Sequence, residues 1–213
     1  MTKVRVHNFV VSLDGYATGE GQSRQAPFGH AQERFGQWFE AAHVWRGDPS
    51  WPGGVGGIEE AIAATWELGI GAEIMGRNKF GPQRGPWADH DWRGWWGDSP
   101  GFRTPCFILT HYPRPSIEFE DGTSYHFLDA SPADALEVAR EAAGGLDVRI
   151  GGGPSTVRAF LAADLVDYLH VVIVPIVLGR GEPMWDGLER LEERFHVESV
   201  TAPSGATHVV FTR

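Results

Sequence analysis

The chain has 213 residues, 42% of them hydrophobic and 12% aromatic, which is enough for one globular domain with a sizeable core and excludes a largely disordered chain. Its formal net charge of −10, without any run of lysines or arginines, argues against nucleic acid and membrane surfaces as partners. The single cysteine, Cys106, excludes an internal disulfide and a cysteine-based zinc cluster, so we expect a reducing, cytoplasmic location.

Strand-like and helix-like segments alternate along the chain. Strands are predicted at about 3–11, 72–75, 105–110, 124–128, 147–151, 168–178, 194–201 and 207–212. Helices are predicted at about 30–43, 57–69, 132–143 and 154–163. This alternation predicts an α/β fold with a largely parallel sheet. The last two strands flank a short turn with no room for a crossover helix, which predicts a C-terminal antiparallel hairpin.

Two tryptophan-rich segments, Trp45 to Gly57 and Phe80 to Phe102, have no clear periodicity and are predicted to be long loops. Their indole rings could stack on a planar substrate, cover a cleft, pack the loop itself or form a dimer contact. No change of composition marks a boundary, so we expect a single domain over residues 1–213. The longest apolar run, Val171 to Leu178, is far shorter than the roughly 20 residues of a membrane helix.

Two strand-to-helix junctions carry glycine. At the first, an apolar strand runs into Gly76, Arg77 and Asn78, where bare backbone and a guanidinium could meet a phosphate. A glycine turn with a solvated arginine is the alternative. At the second, Gly151-Gly152-Gly153 precedes a proline-led helix whose Ser155 and Thr156 could donate to a pyrophosphate, and an unusually tight turn is the alternative. Together they suggest a dinucleotide across the carboxyl ends of the strands.

Several segments resemble, in order, the reductase domain of bifunctional riboflavin-biosynthesis proteins and its stand-alone bacterial relatives in the dihydrofolate reductase superfamily. The resemblance rests on Val11–Gly15, Met75–Asn78, Gly151–Thr156, Asp167–His170 and Pro175–Gly181. It implies a three-layer fold with a central mixed sheet of eight strands, and NADPH as hydride donor. It also implies an NADPH-dependent oxidoreductase that acts on a small molecule, and a possible homodimer.

The resemblance also assigns residues to the cofactor. Those assigned to its phosphates and pyrophosphate are Gly76, Arg77, Asn78, Gly152, Gly153, Ser155 and Thr156. Thr110 would flank the adenosine half, and His111 would lie near the 2′-phosphate. Ser12, Asp14 and Gly15 would border the nicotinamide and the substrate.

Two departures limit the resemblance. A carboxylate on the first helix, which dihydrofolate reductases use to protonate the pterin, cannot be aligned, because Glu33 and Glu40 both lie in the predicted helix. Folate reduction is therefore not supported. The fused deaminase domain of the bifunctional riboflavin enzymes is absent from the sequence given.

Asp14 is the candidate catalytic residue, either as proton donor or for orienting the substrate, with a structural aspartate of an Asp-Gly turn as the alternative. No metal is expected, because the scattered histidines lack metal-site spacing. The favoured function is NADPH-dependent reduction of a small heterocyclic or ribosylamine-like substrate. The alternatives are 5-amino-6-(5-phosphoribosylamino)uracil reductase of riboflavin biosynthesis and a non-catalytic NADPH-binding module.

Overall fold

The computed structural model of the protein describes residues 2–35, 58–63, 65 and 67–213. The predicted loop from Trp45 to Gly57 and most of the predicted helix at 30–43, with Glu40, lie outside these residues. Within the described part of the chain, no helix is both long and apolar enough to cross a bilayer.

The described residues form a large mixed sheet and a small antiparallel one. In chain order the strands are β1 (Val4–Ser12), β2 (Tyr16–Thr18), β3 (Ile70–Gly76), β4 (Pro105–Leu109), β5 (Ile117–Glu118), β6 (Ser124–Leu128), β7 (Asp147–Gly152), β8 (Tyr168–Val174), β9 (Glu182–Pro183), β10 (His196–Thr201) and β11 (Thr207–Thr212). Hydrogen-bonded neighbours in the large sheet follow the order β10-β11-β8-β1-β7-β3-β4-β6-β5, and β2 pairs with β9.

The predicted α/β class, with a mixed sheet and a C-terminal antiparallel hairpin, is confirmed. All eight predicted strands belong to the large sheet, and β5 makes it nine. With two residues, β5 is too short to show any periodicity in the sequence. β8 ends at Val174, earlier than predicted, because Pro175 has no N–H group for a strand ladder.

The helices with described bounds are α1 (Ile58–Ala63), α2 (Arg77–Phe80), α3 (Pro132–Ala142) and α4 (Pro154–Ala162). Residues 32–35 are also helical, and single 3-10 turns form at Gly29–Ala31 and Leu191–Arg194. α3 begins as its sequence predicts, since the Ser131 side chain accepts a hydrogen bond from the N–H of Asp134. Pro132 occupies the first turn, where a missing N–H costs nothing.

Contacts between residues divide the chain into two compact units. The first comprises Met1–Val6 and Gly69–Tyr168, and the second comprises His7–Leu68 and Leu169–Arg213. β1 contributes its first residues to one unit and its remainder to the other. The expectation of a single domain over residues 1–213 stays a prediction.

The sheet of the first unit is built mainly from parallel pairs. β1 pairs with β7, β7 with β3, β3 with β4, and β4 with β6, all in parallel. Parallel strands need long connections. α3 provides the one from β6 to β7, α4 follows β7, and both helices contact β3 and β7. The crossover from β3 to β4 consists of α2 and residues 81–104, which contain no helix or strand, in agreement with the predicted loop.

The tryptophan-rich crossover packs on the sheet of the first unit. The crossover and the sheet share one cluster of buried residues, with Trp92, Trp96 and Phe102 partly buried against it. The buried members are Met75, Phe80, Trp87, Cys106, Ile108, Phe119, Tyr125 and Phe127. Phe80 lies at the centre of this aromatic cluster, edge to face with Tyr125 and Phe127 at ring distances of 5.3 Å each. Among the alternatives left open by the sequence, these indole rings therefore pack the loop against its own sheet.

The second unit has its own small core and a buried histidine pair. The core residues are Ala31, Phe35, Val172, Val174 and Ala206. Beside them, His170 on β8 and His208 on β11 stack, with 3.0 Å between His170 Nε2 and His208 Nδ1. Burial, with a smaller contribution from the charge of His208, lowers the pKa of His170 to about 3. The His170 side chain is therefore neutral at ordinary pH.

A buried ionic network joins β3, β7 and α2 in the first unit. The Glu73 carboxylate on β3 is fully buried and accepts hydrogen bonds from Arg149 on β7, at 2.8 Å from its Nε. Lys79 on α2 lies 3.8 Å from the same carboxylate, and its ammonium group donates to the carbonyl of Gly151. Burial lowers the pKa of Lys79, and the Glu73 charge partly offsets this effect.

We expect Glu73→Gln to lower the free energy of unfolding by about 3–5 kcal/mol, because it leaves Arg149 and Lys79 beside a neutral group in a buried site. Urea denaturation followed by far-UV circular dichroism measures the change. The matched control is Glu137→Gln, which removes the same charge from an exposed pair with Arg140 at 3.2 Å. It should cost less than about 1 kcal/mol. Equal losses in the two variants would contradict the prediction.

Candidate functional site

The two glycine junctions singled out in the sequence lie side by side in the first unit. β3 and β7 are parallel neighbours, and their register pairs Met75 with Gly152. A β-carbon added at Gly76 would overlap the Thr156 hydroxyl oxygen and would come within 3.8 Å of the Gly152 carbonyl oxygen. Close packing between β3 and the first turn of α4 therefore explains the glycine at position 76.

The three consecutive glycines have three different explanations. At Gly151 a β-carbon would overlap the buried Glu73 carboxylate, so the ionic network requires glycine there. Gly152 has a φ of +117°, a conformation that other residues rarely adopt, and it is joined to Gly153 by a cis peptide bond. Gly153 has a φ of −54°, which any residue can adopt, and among the described residues no atom beyond its two chain neighbours lies within 4 Å of an added β-carbon.

Gly153 thus differs from the other described glycines. Six of the described glycines, including Gly153, lack a positive φ. At the other five, an added β-carbon would come within 3.0 Å of a neighbouring atom. Those five are Gly19, Gly71, Gly76, Gly81 and Gly151. Neither the φ angle nor packing by the described residues requires glycine at position 153, which is the property expected where a ligand approaches the chain.

Gly153 also opens the nine-residue helix α4. No side chain caps the N-terminus of this helix, and Pro154 occupies its first turn. Ser155 is exposed and Thr156 is partly buried, so their backbone N–H groups begin the helix beside the open space at Gly153. An uncapped helix start of this kind provides N–H donors for an anion.

Arg77, the first residue of α2, carries a guanidinium group without a hydrogen-bonding partner in the described part of the chain. Its Nε and Nη2 atoms are buried, and neither makes a hydrogen bond there. The group lies over the indole ring of Trp87, with Cζ 3.8 Å from the ring centroid, and 5.4 Å from that of Tyr112. Burial lowers the pKa of Arg77, and the nearby charge of Arg84 adds to this effect. An anion at this position would satisfy both nitrogens.

A second guanidinium group, that of Arg114, lies over the same indole ring at 4.3 Å from its centroid. Arg114 donates to the carbonyl oxygens of His90 at 3.1 Å and Trp92 at 2.5 Å. Its pKa is lowered by burial and, next, by the charge of Arg77. The sequence analysis did not single out Arg114, and its only sequence signal is a basic residue in the loop that follows a buried strand.

Three further predicted cofactor residues of the first unit are Thr110, His111 and Asn78. Thr110 follows β4, is buried, and its hydroxyl accepts a hydrogen bond from the N–H of Tyr112 at 3.1 Å. His111 is 90% exposed, and its Nδ1 lies 2.9 Å from a carboxylate oxygen of Asp129. Asn78 is partly buried in α2, directly after Arg77.

Ser12, Asp14 and Gly15 belong to the second unit and form one hydrogen-bonded turn. The Asp14 carboxylate accepts hydrogen bonds from the Ser12 hydroxyl at 2.6 Å and from the N–H groups of Leu178 at 3.0 Å and Gly179 at 2.6 Å. Partial burial would raise the pKa of Asp14, but these hydrogen bonds outweigh it and lower the pKa to about 2. The side chain therefore ties the turn after β1 to the loop after β8.

Known structures share this architecture. A protein of Shewanella sp. PV-4 assigned to riboflavin biosynthesis is 21% identical, with a TM-score of 0.59, and the match covers 100% of this chain and 99% of that one. The diaminohydroxyphosphoribosylaminopyrimidine deaminase/5-amino-6-(5-phosphoribosylamino)uracil reductase of Thermotoga maritima is 14% identical, with a TM-score of 0.56. RibD of Acinetobacter baumannii is 16% identical, with a TM-score of 0.51. At these identities the likeness shows the fold.

Coverage differs among these structures. The match extends over 99% of this chain but 56% of the Thermotoga maritima protein, and over 100% of this chain but 58% of the Acinetobacter baumannii protein. No curated protein sequence matches significantly. A family model described as the RibD C-terminal domain matches residues 102–209, which is half of the chain. The chain belongs to the RibD C-terminal domain family.

Proposed function

We propose that this protein is an NADPH-dependent reductase that transfers a hydride to a small heterocyclic or ribosylamine-like substrate. Membership of the RibD C-terminal domain family indicates a reductase, and the choice of cofactor and substrate goes beyond it. The observation that carries the proposal is the open space at Gly153, where the chain turns into a helix without a side-chain cap and no described residue beyond its chain neighbours explains the glycine. Bare backbone at a helix start is suited to a pyrophosphate.

The residues of the first unit suit a phosphorylated dinucleotide. Arg77 has two buried nitrogen atoms without hydrogen-bond partners in the described chain, and such burial is unfavourable. An anion at this position would give these nitrogen atoms charge-assisted hydrogen bonds. The Gly153 backbone and the N–H groups of Ser155 and Thr156 would hold the pyrophosphate. Asn78, Gly76, Gly152, Thr110 and His111 would line the remainder of the cofactor site.

NADPH, when bound, would supply the hydride, and the protein would supply binding and orientation. We assign Asp14 the alternative considered for it, that of a structural aspartate in the Asp-Gly turn, and not the role of proton donor. A carboxyl group with a pKa of about 2 is ionised at neutral pH and cannot act there as a proton donor. Its hydrogen bonds to Ser12, Leu178 and Gly179 fix the turn that carries Gly15, so Asp14 is a positioning residue.

The family supports a more specific candidate, reduction of a phosphorylated ribosylaminopyrimidine in riboflavin biosynthesis. The Thermotoga maritima relative is named for this reaction as well as for a deaminase activity. Such a substrate needs a cation for its phosphate, and Arg180 and Arg84 are the candidates from the sequence. Arg180 lies 3.2 Å from Glu20, and Arg84 lies near the Gly81 carbonyl at 3.4 Å. A cytoplasmic location and a homodimer stay predictions.

The first test is the affinity for NADPH, measured by isothermal titration calorimetry. Gly153→Val should weaken binding at least about tenfold while leaving the unfolding midpoint unchanged, because its side chain would fill the space reserved for the pyrophosphate. Arg77→Met should weaken binding by a similar factor, since a hydrogen bond to a charged group contributes about 1.5–3 kcal/mol.

Matched controls are available in the same unit. Ala163→Val places the same side chain at the other end of α4, and Arg140→Met removes an exposed charge from α3, so neither should change NADPH affinity. A wild-type protein that binds neither NADPH nor NADH would overturn the proposed function. Binding without oxidation of NADPH by any acceptor would favour the non-catalytic module.

A second test follows from the lowered pKa of Asp14. Because its pKa in the folded protein is about 2, against an ordinary value of 3.8, its contribution to stability is complete above about pH 4 and is lost as the pH falls towards 2. Asp14→Asn should therefore lose stability near neutral pH and show a weaker decline below pH 4 than wild type. Unfolding midpoints between pH 2 and pH 7 measure this difference, with Asp186→Asn as the control on the same unit. Parallel curves for wild type and Asp14→Asn would contradict the prediction.

A further inference from the structure

We propose that Trp87 is a positioning residue for Arg77 and thereby sets the preference of the protein for NADPH over NADH. The inference rests on the proposed function and deepens it, because it names the residue that fixes the phosphate-binding guanidinium. Trp87 belongs to the tryptophan-rich crossover, at a distance of ten residues along the chain from Arg77. The evidence is the arrangement of aromatic and cationic side chains around its indole ring.

The first step concerns Arg77 itself. An arginine side chain loses rotamer entropy when it is held in one position, so a guanidinium that is fixed before binding gives tighter recognition. Trp87 provides this restraint, since the guanidinium carbon lies 3.8 Å from its ring centroid. The Nε and Nη2 atoms keep their hydrogen-bonding capacity in the described chain, so the stack restrains the group without occupying its donors.

The second step concerns the rigidity of Trp87. Its side chain is buried, and its Nε1–H donates to the Tyr112 carbonyl at 2.6 Å. The ring also meets Phe80 and Phe127 edge to face, at centroid distances of 6.0 Å and 5.6 Å. The indole ring is therefore a fixed surface, and its position is set by β6, by α2 and by the loop that carries Tyr112.

The third step concerns charge. Arg114 lies over the same ring at 4.3 Å and over Phe127 at 4.4 Å, and it contributes to holding the crossover through the carbonyl groups of His90 and Trp92. Burial lowers the pKa of Arg114, and the charge of Arg77 lowers it further. Two cations on one indole ring favour a multiply charged anion, such as a phosphate monoester, over a neutral hydroxyl. That difference is the one that separates NADPH from NADH at the ribose.

The experiment measures dissociation constants of NADPH and NADH by isothermal titration calorimetry. For Trp87→Leu we expect the preference for NADPH, defined as the NADH constant divided by the NADPH constant, to fall at least about fivefold, with NADH affinity unchanged within about twofold. Trp87→Phe keeps an aromatic face and should retain most of the preference. In an Arg77→Met background, Trp87→Leu should change the preference no further, because the group that Trp87 positions is absent.

The outcomes separate this inference from the proposed function. A wild-type protein that binds neither dinucleotide overturns the proposed function and this inference with it. A wild-type protein that binds both without preference overturns the inference alone. Equal losses of NADPH and NADH affinity in Trp87→Leu would show a purely structural role for Trp87 and would also overturn it. If Trp87→Leu does not fold, Trp87→Met, which keeps apolar bulk without an aromatic face, takes its place in the double-mutant cycle with Arg77→Met, and additive effects on the preference overturn the proposal.

Discussion

The burial of Glu73 between two cations constrains the whole first unit. Its carboxylate on β3 needs Arg149 on β7 and Lys79 on α2, because an unpaired charge in the interior would cost several kcal/mol. Lys79 in turn donates to the Gly151 carbonyl, so the network connects the helix that begins with Arg77 to the glycine segment. The ionic network therefore connects the two segments that carry the candidate phosphate contacts.

The aromatic cluster extends this constraint into the irregular crossover. Residues 81–104 have no helix or strand to satisfy their backbone, and arginine side chains take part of that role. Arg114 donates to two carbonyl groups of the crossover and lies over three aromatic rings, those of Phe80, Trp87 and Phe127. A long loop held in this way can keep Trp87 in place for Arg77, whereas a mobile loop could not.

The fold could be predicted from the sequence where the signal was local. Period-two runs and capping residues located all eight main strands and the start of α3, whereas β5 and the small β2 and β9 pair are too short to carry a pattern. The sequence showed that the glycine triplet is unusual, but it did not show that the three glycines have different structural explanations. Only contacts distant in sequence show that the Glu73 carboxylate requires glycine at position 151, whereas no contact in the described chain requires it at position 153. The Arg77, Trp87 and Arg114 stack could not be predicted for the same reason.

The free space at Gly153 has an implication for how variation at this position would be tolerated. At most glycines in the described chain, a substitution would disturb either the backbone or a neighbouring atom, and the cell would remove much of the misfolded product. A substitution at position 153 would avoid this loss, because an added side chain would meet none of the described neighbours. Such variants would be present at normal levels as folded proteins with an impaired ligand site, so the amount of protein in the cell would not reveal the defect.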